Sequence, residues 1–338
     1  EGQTTLFDKM PAKNQTVYAY YSEETKASLF DYASYENSVT ITKCKTDSGT
    51  VVIPAYIGGK LVTSVGDNAF KDCSSLTSVT LPTAITSIGD NAFENCSSLL
   101  QTPDLTNITS YGSNAFKNCS LLTDIRSIDG SATFGEGVFS SCENISKIAI
   151  TFKQNLEAFY VSSFFKGTSD PEKYYEASDK RGSTYYVPLA LKEIEFTATA
   201  KVPDYFLYGL TSVTKVVDKS TSSASIGNHS FDGCTALTDY SVENNVISSV
   251  GEYAFHNCSS LKTLPAFNLT EIKNHAFDNC SSLLITPDLT NVASVGDYAF
   301  EGCNALSEVG RLNGCAAFGA GVFSSCENIS KIAITFKQ

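Results

Sequence analysis

Phenylalanine recurs along the chain at nearly constant intervals, each time within the same run of apolar and polar positions. The recurring residues are Phe70, Phe93, Phe116 and Phe139, spaced by 23 residues, and Phe231, Phe255, Phe277, Phe300 and Phe323, spaced by 22 to 24. Self-similarity at a period of roughly 20 to 50 residues is the mark of stacked repeats. The chain is therefore expected to be a repeat protein.

The neighbours of each repeat phenylalanine fix the register of the unit. An apolar residue stands five positions before it, glycine usually stands four before it, with Lys273 as the exception, and cysteine stands three after it. In the clearest units Leu-x-x-Val-x-Leu follows, as at Leu76, Val79 and Leu81. This alternation predicts a strand with Val79 and Leu81 inward and Thr80 outward. The Asp-Asn-Ala-Phe stretch after the glycine predicts a tight turn or a single helical turn.

The repeat fades between Phe139 and Phe231, but two hidden units can be recovered there. Leu207 stands in the phenylalanine position of one unit, and Phe165 heads the other. The strand of the second unit is predicted at Leu191, Ile194 and Phe196. Because the distance from Phe165 to that strand exceeds the regular spacing by about 20 residues, an insertion is predicted at residues 168–187.

A unit of about 23 residues cannot bury its own apolar side chains, so neighbouring coils must stack and share one core. We therefore predict a β-rich solenoid, a leucine-rich repeat array of about 11 coils with an N-terminal cap. Residues 1–60 lack the repeat and are assigned to an N-terminal extension and capping segment, and residues 61–338 to the solenoid. Residues 138–154 are identical to residues 322–338, so we expect the array to continue past residue 338.

The block from Val62 to Pro82 resembles the 23-residue leucine-rich repeat of BspA-like surface proteins, because all the positions described above recur in it together. The resemblance extends over residues 38–338. It implies an exported protein, mostly of host-associated bacteria, with a role in adhesion to host matrix proteins or to other cells. The family has no agreed set of ligand-contacting residues, so none carries over to this chain.

Two coils depart from the repeat. They carry Thr102-Pro103-Asp104 and Thr286-Pro287-Asp288 where Val-x-Leu is expected. Proline removes a hydrogen-bond donor from a strand ladder, so irregular pairing is predicted in both coils.

Charge and motifs narrow the classes of function. The formal net charge of -12 disfavours nucleic acid as a partner. No apolar run reaches the roughly 18 to 20 residues of a membrane span, so no membrane insertion is expected. No metal-binding, nucleotide-binding or nucleophile motif occurs, so no metal site, cofactor or enzymatic activity is predicted. His229, His256 and His275 each lie beside a repeat phenylalanine, where surface placement explains them.

Eleven cysteines would indicate a disulfide framework in a short secreted chain, but nine of them follow the repeat period. These nine are predicted to be small buried thiols that stack like the other repeat positions and stay reduced. Cys44 and Cys315 lie outside the period. A bridge from Cys315 to Cys303 or Cys326 stays open as an alternative.

The insertion differs in composition from the Ser- and Thr-rich repeats around it. Seven of its residues are candidates for a binding site: Lys173, Tyr174, Tyr175, Lys180, Arg181, Tyr185 and Tyr186. Tyrosine and arginine are favoured at interfaces, and solenoid insertions project as loops on one face. The alternative is a loop that folds its tyrosines back over the solenoid.

Together these features predict a cell-surface or secreted binding module of the adhesin type, located outside the cell or on its surface. Its expected partner is a protein or cell-surface ligand, such as an extracellular matrix protein. The alternative is the recognition domain of a larger secreted enzyme or receptor, and fold alone does not decide between the two.

Overall fold

The computed structural model describes residues 27–46, 49–167, 170–221, 224–244, 247–313 and 316–335. The chain forms a β-solenoid of about 12 turns with very little helix, which confirms the predicted fold class. Two compact units can be distinguished: unit 1, up to Leu122 together with Ala132–Cys142, and unit 2, Thr123–Ser131 together with the chain from Glu143 onward.

The strands are short and numerous in both units. Those of unit 1 are β1 Phe30–Ser34, β2 Ser38–Cys44, β3 Thr50–Val52, β4 Tyr56–Ile57, β5 Lys60–Val65, β6 Ser78–Thr80, β7 Ser87–Ile88, β8 Ser110–Tyr111 and β10 Thr133–Phe134. Those of unit 2 are β9 Asp124–Asp129, β11 Lys147–Thr151, β12 Tyr174–Ser178, β13 Thr184–Pro188, β14 Glu193–Thr197, β15 Lys201–Val202, β16 Lys215–Asp218, β17 Ala224–Ile226, β18 Asp239–Val242, β19 Ile247–Val250, β20 Glu271–Ile272, β21 Ser294–Val295, β22 Glu308–Asn313, β23 Ala317–Phe318 and β24 Lys331–Thr335. A 3-10 helix spans Val161–Phe164.

Parallel strand ladders follow the repeat in each unit. The residues before the repeat glycine form β5-β7-β8-β10 in unit 1 and β15-β17-β19-β20-β21-β23 in unit 2. The segments after the cysteine position form β9-β11-β14-β16-β18 in unit 2. Only the strand after the cysteine was predicted from sequence, because most strands before the glycine have two residues and offer no alternation to detect. The hidden unit of Leu207 is confirmed, since β15 pairs with β17, and the predicted strand of the other unit is confirmed, since β14 pairs in register with β11. The placement of Phe165 at the head of that unit is wrong, because it is the N–H of Val161 that donates to the carbonyl of Phe206 in the next turn, as Phe70 does to Ala92.

The coils that carry proline pair irregularly, as predicted. The segments 102–104 and 286–288 form no strand, and the residues that flank the second, Ile285 and Leu289, pair with the next turn as isolated bridges. One detail of the predicted strand is wrong: Leu81 is half-buried and not inward, because β6 ends at Thr80.

The N-terminal edge of unit 1 is covered by an antiparallel strand. β1 pairs with β2, and β2 pairs in parallel with β5. A strand in this place hides the open edge of the ladder. The assignment of residues 1–60 to a cap stays a prediction.

Adjacent turns are held together by backbone hydrogen bonds between nearly equivalent positions. The N–H of Phe70 donates to the carbonyl of Ala92 at 2.7 Å, and the N–H of Phe93 donates to the carbonyl of Ala115 at 2.7 Å. The turns approach so closely at the repeat glycine that a Cβ on Gly89 would lie 2.6 Å from the backbone nitrogen of Asp67. This close approach explains the glycine in the repeat.

The repeat phenylalanines form a buried column in each unit. In unit 1 the rings of Phe70, Phe93, Phe116 and Phe139 stack with centroids 4.9 to 5.3 Å apart. In unit 2 the rings of Phe231, Phe255, Phe277, Phe300 and Phe323 stack with centroids 4.9 to 5.6 Å apart. These distances match the roughly 4.8 Å spacing of paired strands. Each buried ring contributes about 1.5–3 kcal/mol to folding.

The repeat cysteines form a second column beside the phenylalanines. The Cys96 Sγ donates to the carbonyl of Phe70, one turn earlier, at 3.1 Å. The same contact recurs in seven further turns. Eight of the nine repeat cysteines are buried, and burial raises the pKa of thiols such as Cys258. The predicted burial is confirmed, whereas the alternative bridge of Cys315 lies outside the described residues.

Phe93→Ala removes one ring from the middle of the unit 1 column. Since the backbone spacing between turns prevents the cavity from closing, we expect the free energy of unfolding to fall by about 3–5 kcal/mol. Phe93→Leu copies Leu207, which stands in the same repeat position, and is the matched control with a smaller expected loss. Denaturant titration measures both, and a loss below about 1 kcal/mol for Phe93→Ala would contradict the stacked column.

The repeat thiols should react slowly with a chromogenic disulfide reagent in the native protein and fully in denaturant. Their sulfur atoms are buried and hydrogen-bonded, so the reactive thiolate is scarce and inaccessible. Cys326 is half-exposed and serves as the internal reference that should react first. Rapid native labelling of most cysteines is the outcome that refutes the buried column.

Candidate functional site

The insertion folds as a β-hairpin of β12 and β13 on unit 2. Five residues of each strand pair antiparallel, from Tyr174 opposite Pro188 to Ser178 opposite Thr184. Tyr174 is buried, and the hydroxyl of Tyr175 lies 3.4 Å from Oγ of Ser212. Burial raises the pKa of Tyr175 far above its ordinary value. These two tyrosines therefore anchor the hairpin to the solenoid.

The tip of the hairpin is organised by the carboxylate of Asp179, which is buried. Its Oδ1 accepts the backbone N–H groups of Arg181 and Ser183, both at 2.9 Å, and its Oδ2 accepts Nε and Nη2 of Arg181 at 3.0 and 2.9 Å. The hydroxyl of Tyr185 reaches the same Oδ2 at 3.2 Å. Burial alone would raise the pKa of Asp179, but the N–H of Ser183 and the Arg181 guanidinium hold it below its ordinary value. The tip is therefore a fixed platform for Lys180 and Arg181.

Both cations of the tip lie over aromatic rings. Lys180 Nζ is 5.9 Å from the ring centroid of Tyr205 and 5.7 Å from that of Tyr208, and Arg181 Cζ is 5.4 Å from the ring centroid of Tyr160. Such contacts are worth about 0.5–1 kcal/mol at exposed sites. The hairpin tip and these rings consequently form one surface.

Two of these rings begin a longer stack, which we call the ring ladder. Its members in order are Tyr160, Tyr205, His229, Tyr253, His275 and Tyr298. Neighbouring centroids are 4.6 to 5.3 Å apart, and neighbouring planes differ by at most 19°. The rings cover each other's faces, and each ladder residue is half-buried except Tyr298, which is exposed.

The backbone at the ring ladder is in a conformation that bulky residues rarely adopt. Its five members from Tyr205 to Tyr298 have φ values of 53° to 61°. They stand two positions before the repeat phenylalanine position, where unit 1 has Asn68, Asn91 and Asn114 at 53° to 57°. Asparagine and histidine are enriched in the left-handed region, whereas a tyrosine is uncommon there. The three tyrosines Tyr205, Tyr253 and Tyr298 are therefore the unusual members of the ladder.

A second polar column runs beside the ladder, one position after each repeat phenylalanine. In it Asp232 lies between two imidazoles, with its Oδ2 2.7 Å from His229 Nδ1 and its Oδ1 2.8 Å from His256 Nδ1. The hydrogen bond to Asp232 raises the pKa of His256. Burial alone would raise the pKa of Asp232, but the two histidines hold it below its ordinary value. An open groove of about 520 Å³ lies here, lined by Lys180, Tyr208, His229, Asp232, Tyr253 and His256.

The same column of unit 1 has permanent charges in place of titratable ones. There Glu94 pairs with Lys71 at 2.8 Å and with Lys117 at 3.5 Å. Glu94 thus lies between lysines of the two neighbouring turns, whereas Asp232 of unit 2 is bonded to one histidine of its own turn and one of the next.

The predicted site residues divide between the hairpin tip and its base. Lys180, Arg181 and Tyr185 meet at the tip. Lys173 forms an ion pair with Glu143, and half-buried Tyr186 donates its N–H to the carbonyl of Phe165 at 3.0 Å. The binding role of all seven residues stays a prediction.

The ring ladder was not predicted from sequence, because each histidine was interpreted as an isolated surface residue. The signal was present in the repeat register. Tyrosine or histidine stands two positions before the repeat phenylalanine position in five successive turns, and the stacking of turns makes such residues neighbours.

The stacked coils with their phenylalanine and leucine positions define a leucine-rich repeat protein. The chain belongs to the family described as BspA type leucine rich repeat region, which matches residues 31–169, 183–284 and 284–337. The predicted family is therefore confirmed. Membership makes the chain a repeat module of the protein-binding kind, and the family is typically a non-enzymatic scaffold.

Solved structures of low sequence identity resemble the chain. It is 20% identical to a leucine-rich repeat protein of T. pallidum, over 76% of this chain and 89% of that one, with a TM-score of 0.38. It is 18% identical to a leucine-rich repeat protein of Bacteroides ovatus, over 91% of this chain and 98% of that one, with a TM-score of 0.40. It is 22% identical to a leucine rich cell surface protein of Faecalibacterium prausnitzii, over 92% of this chain and 94% of that one, with a TM-score of 0.31.

No curated protein matches the chain. Within the described residues, every helix is too short or too polar to cross a lipid bilayer.

The pairing of His256 with Asp232 should make stability depend on pH. Folding raises the pKa of His256 through this hydrogen bond, so its contribution is complete below the unfolded value of 6.5 and is lost as the pH rises through the folded pKa. Folding lowers the pKa of Asp232 below 3.8, so its contribution is lost only in stronger acid. We therefore expect His256→Gln to reduce the free energy of unfolding more at about pH 5 than at about pH 8.

The matched control is Lys71→Gln in unit 1, which removes a permanent cation from Glu94. Its effect should be the same at both pH values, because neither partner titrates between them. Urea titrations of both variants at both pH values supply the measurement. An equal loss for His256→Gln at the two pH values is the result that contradicts a titrating contact.

Proposed function

We propose that the chain is an adhesin-type binding module, secreted or displayed at the cell surface, whose ligand is a protein of the host matrix or of another cell. The observation that carries this proposal is the surface formed by the ring ladder and the hairpin tip. Of the seven predicted hairpin residues, Lys173, Lys180, Arg181, Tyr185 and Tyr186 stay proposed contacts, and the ladder extends them along unit 2. Tyr174 and Tyr175 serve the site by anchoring the hairpin.

The rings suit a protein ligand because their side chains are already ordered in the free protein. Tyrosine offers a large contact area with few rotatable bonds, which is why it is enriched at hot spots and in antibody paratopes. Each ring is held between its neighbours at 4.6 to 5.3 Å, so little side-chain entropy is left to lose on binding.

The dimensions of the ladder also fit an interface between proteins. Six rings at these intervals extend over roughly 25 Å, comparable to the width of a standard interface of about 800 Å² per partner. The hydroxyl and imidazole edges supply hydrogen-bond donors and acceptors along the strip, and Lys180 adds a positive charge at one end. A ligand with an acidic end would gain from that charge in an otherwise acidic protein.

The test replaces rings by the residue that unit 1 carries in the same position. Tyr253→Asn combined with Tyr298→Asn keeps the left-handed backbone of Asn91 and its equivalents, so the fold should remain intact. Affinity for the ligand should fall at least about tenfold, which corresponds to about 1.4 kcal/mol. Lys180→Ala should weaken binding in a salt-dependent way, because its contribution is electrostatic.

Binding is first screened by surface plasmon resonance on a panel of extracellular matrix proteins and by flow cytometry on whole cells. Asn91→Gly is the matched control, since it changes the same repeat position in unit 1 and tolerates the same φ. Unchanged affinity of the double variant would show that the ladder is not the contact surface. Absence of binding to every matrix protein and cell type would remove the adhesin proposal.

A further inference from the structure

The side chains of His275, Asp278 and Glu301 meet where two successive turns of unit 2 stack. One ligand atom from each residue lies within 4.8 Å of the other two. We propose that these three residues form a binding site for one divalent transition-metal ion of the zinc class.

The distances suit a shared metal ion. His275 Nδ1 and Asp278 Oδ2 are 2.9 Å apart. Ligand atoms that share an ion at roughly 2.0–2.2 Å lie about 3 to 3.5 Å from each other, so an ion between these atoms needs only small side-chain rotations. The two hydrogen-bonded atoms are therefore already close enough to bind the same metal ion.

Two acids follow each other in the polar column at this point. Asp232 and Asp278 are each bonded to the ladder histidine three residues earlier in the same turn. The next turn supplies His256 to Asp232, whereas it places Glu301, an acid in the same repeat position, beside Asp278. On the other side of Asp278 lies His256, whose Nδ1 is bonded to Asp232.

Two neighbouring carboxylates at the spacing of stacked turns repel each other unless a cation lies between them. Among the described residues, Glu301 has no ion-pair partner for its carboxylate. A divalent ion would balance the charge of the Glu301 carboxylate beside that of Asp278.

The donor set selects among cations. One imidazole nitrogen with two carboxylates suits Zn²⁺, Co²⁺ or Ni²⁺, whereas Ca²⁺ requires six to eight oxygen ligands, as a rule. Three protein ligands leave room for water on the ion. The side chains of His275 and Asp278 are 23% and 11% exposed, so an ion can reach them from solvent.

The fold holds the ligands in place before any ion binds. The His275 ring is stacked between Tyr253 at 4.6 Å and Tyr298 at 5.3 Å, and the backbone N–H of Asn279 donates to the carbonyl of Glu301 at 2.8 Å. An ion there would cross-link two turns of the solenoid and stabilise the native state by mass action. No sequence motif could reveal the site, because its residues come from different turns.

The experiment uses the full chain, stripped of metal with a chelator and kept reduced. Zn²⁺ binding is measured by titration calorimetry and by the shift in melting temperature, and Co²⁺ is added separately as a spectroscopic probe. Two variants remove ligands: His275→Asn installs the residue of Asn91 with its left-handed φ, and Glu301→Gln keeps the size of the side chain. His229→Asn is the matched control, because it removes a ladder histidine at the same repeat position and leaves all three proposed ligands.

We expect one Zn²⁺ ion to bind per protein chain and to raise the melting temperature. Both ligand variants should lose about tenfold or more in affinity for Zn²⁺. His229→Asn should bind as the unchanged protein does, and the Co²⁺ spectrum should lack a thiolate charge-transfer band. The proposal is overturned if the unchanged protein fails to bind Zn²⁺ at millimolar concentration, or if folded Glu301→Gln and His275→Asn bind as tightly as the control. It is also overturned if the Co²⁺ spectrum shows thiolate ligands and neither variant alters it.

Discussion

Backbone hydrogen bonds between successive turns are the constraint on which the other features of this protein depend. When the N–H of Phe70 donates to the carbonyl of Ala92, every residue of one turn is placed beside its counterpart in the next. A side chain at a repeat position then touches the equivalent side chain about 5 Å away. A residue type that recurs at one repeat position therefore forms a column of stacked side chains. The phenylalanine column, the cysteine contacts and the ring ladder are all consequences of this one spacing.

The two units show how much chemical variety this backbone tolerates. The position of Asn91 in unit 1 becomes that of a tyrosine or histidine in unit 2, with almost the same φ. The carboxylate of Glu94 is held by lysines, and that of Asp232 by histidines. Both units have the same phenylalanine and cysteine columns in the core while these outward positions differ. The fold alone therefore does not determine the function.

The repeat period was enough to predict the solenoid, the burial of the phenylalanine and cysteine positions, and the irregular coils that carry proline. Each of these features follows from the effect that one residue type has at one position of a turn, whichever turn it occupies. The two-residue strands before the glycine could not be predicted, because they exist only through pairing with other turns. Leu81 was misplaced because the strand ends one residue earlier than the alternation indicates.

The candidate site was only partly accessible from sequence, because its contacts join segments that share no pattern. Composition singled out the hairpin, but it could not show that Asp179 fixes the tip or that Arg181 lies over Tyr160. Tyr160 itself lies outside the regular repeat pattern, and it stacks on Tyr205 because the N–H of Phe159 donates to the carbonyl of Asp204 and joins the two turns.

The ladder has a definite beginning and end. Arg181 lies over the first ring, and the backbone of Gly321 lies against the last, since a Cβ on Gly321 would be 2.5 Å from the ring of Tyr298. Between these limits each turn contributes one ring, so gain or loss of a single repeat by recombination would lengthen or shorten the exposed strip in steps of about 5 Å. A change in the number of repeats would thus alter the length of the exposed ladder and leave the packing inside each turn unchanged.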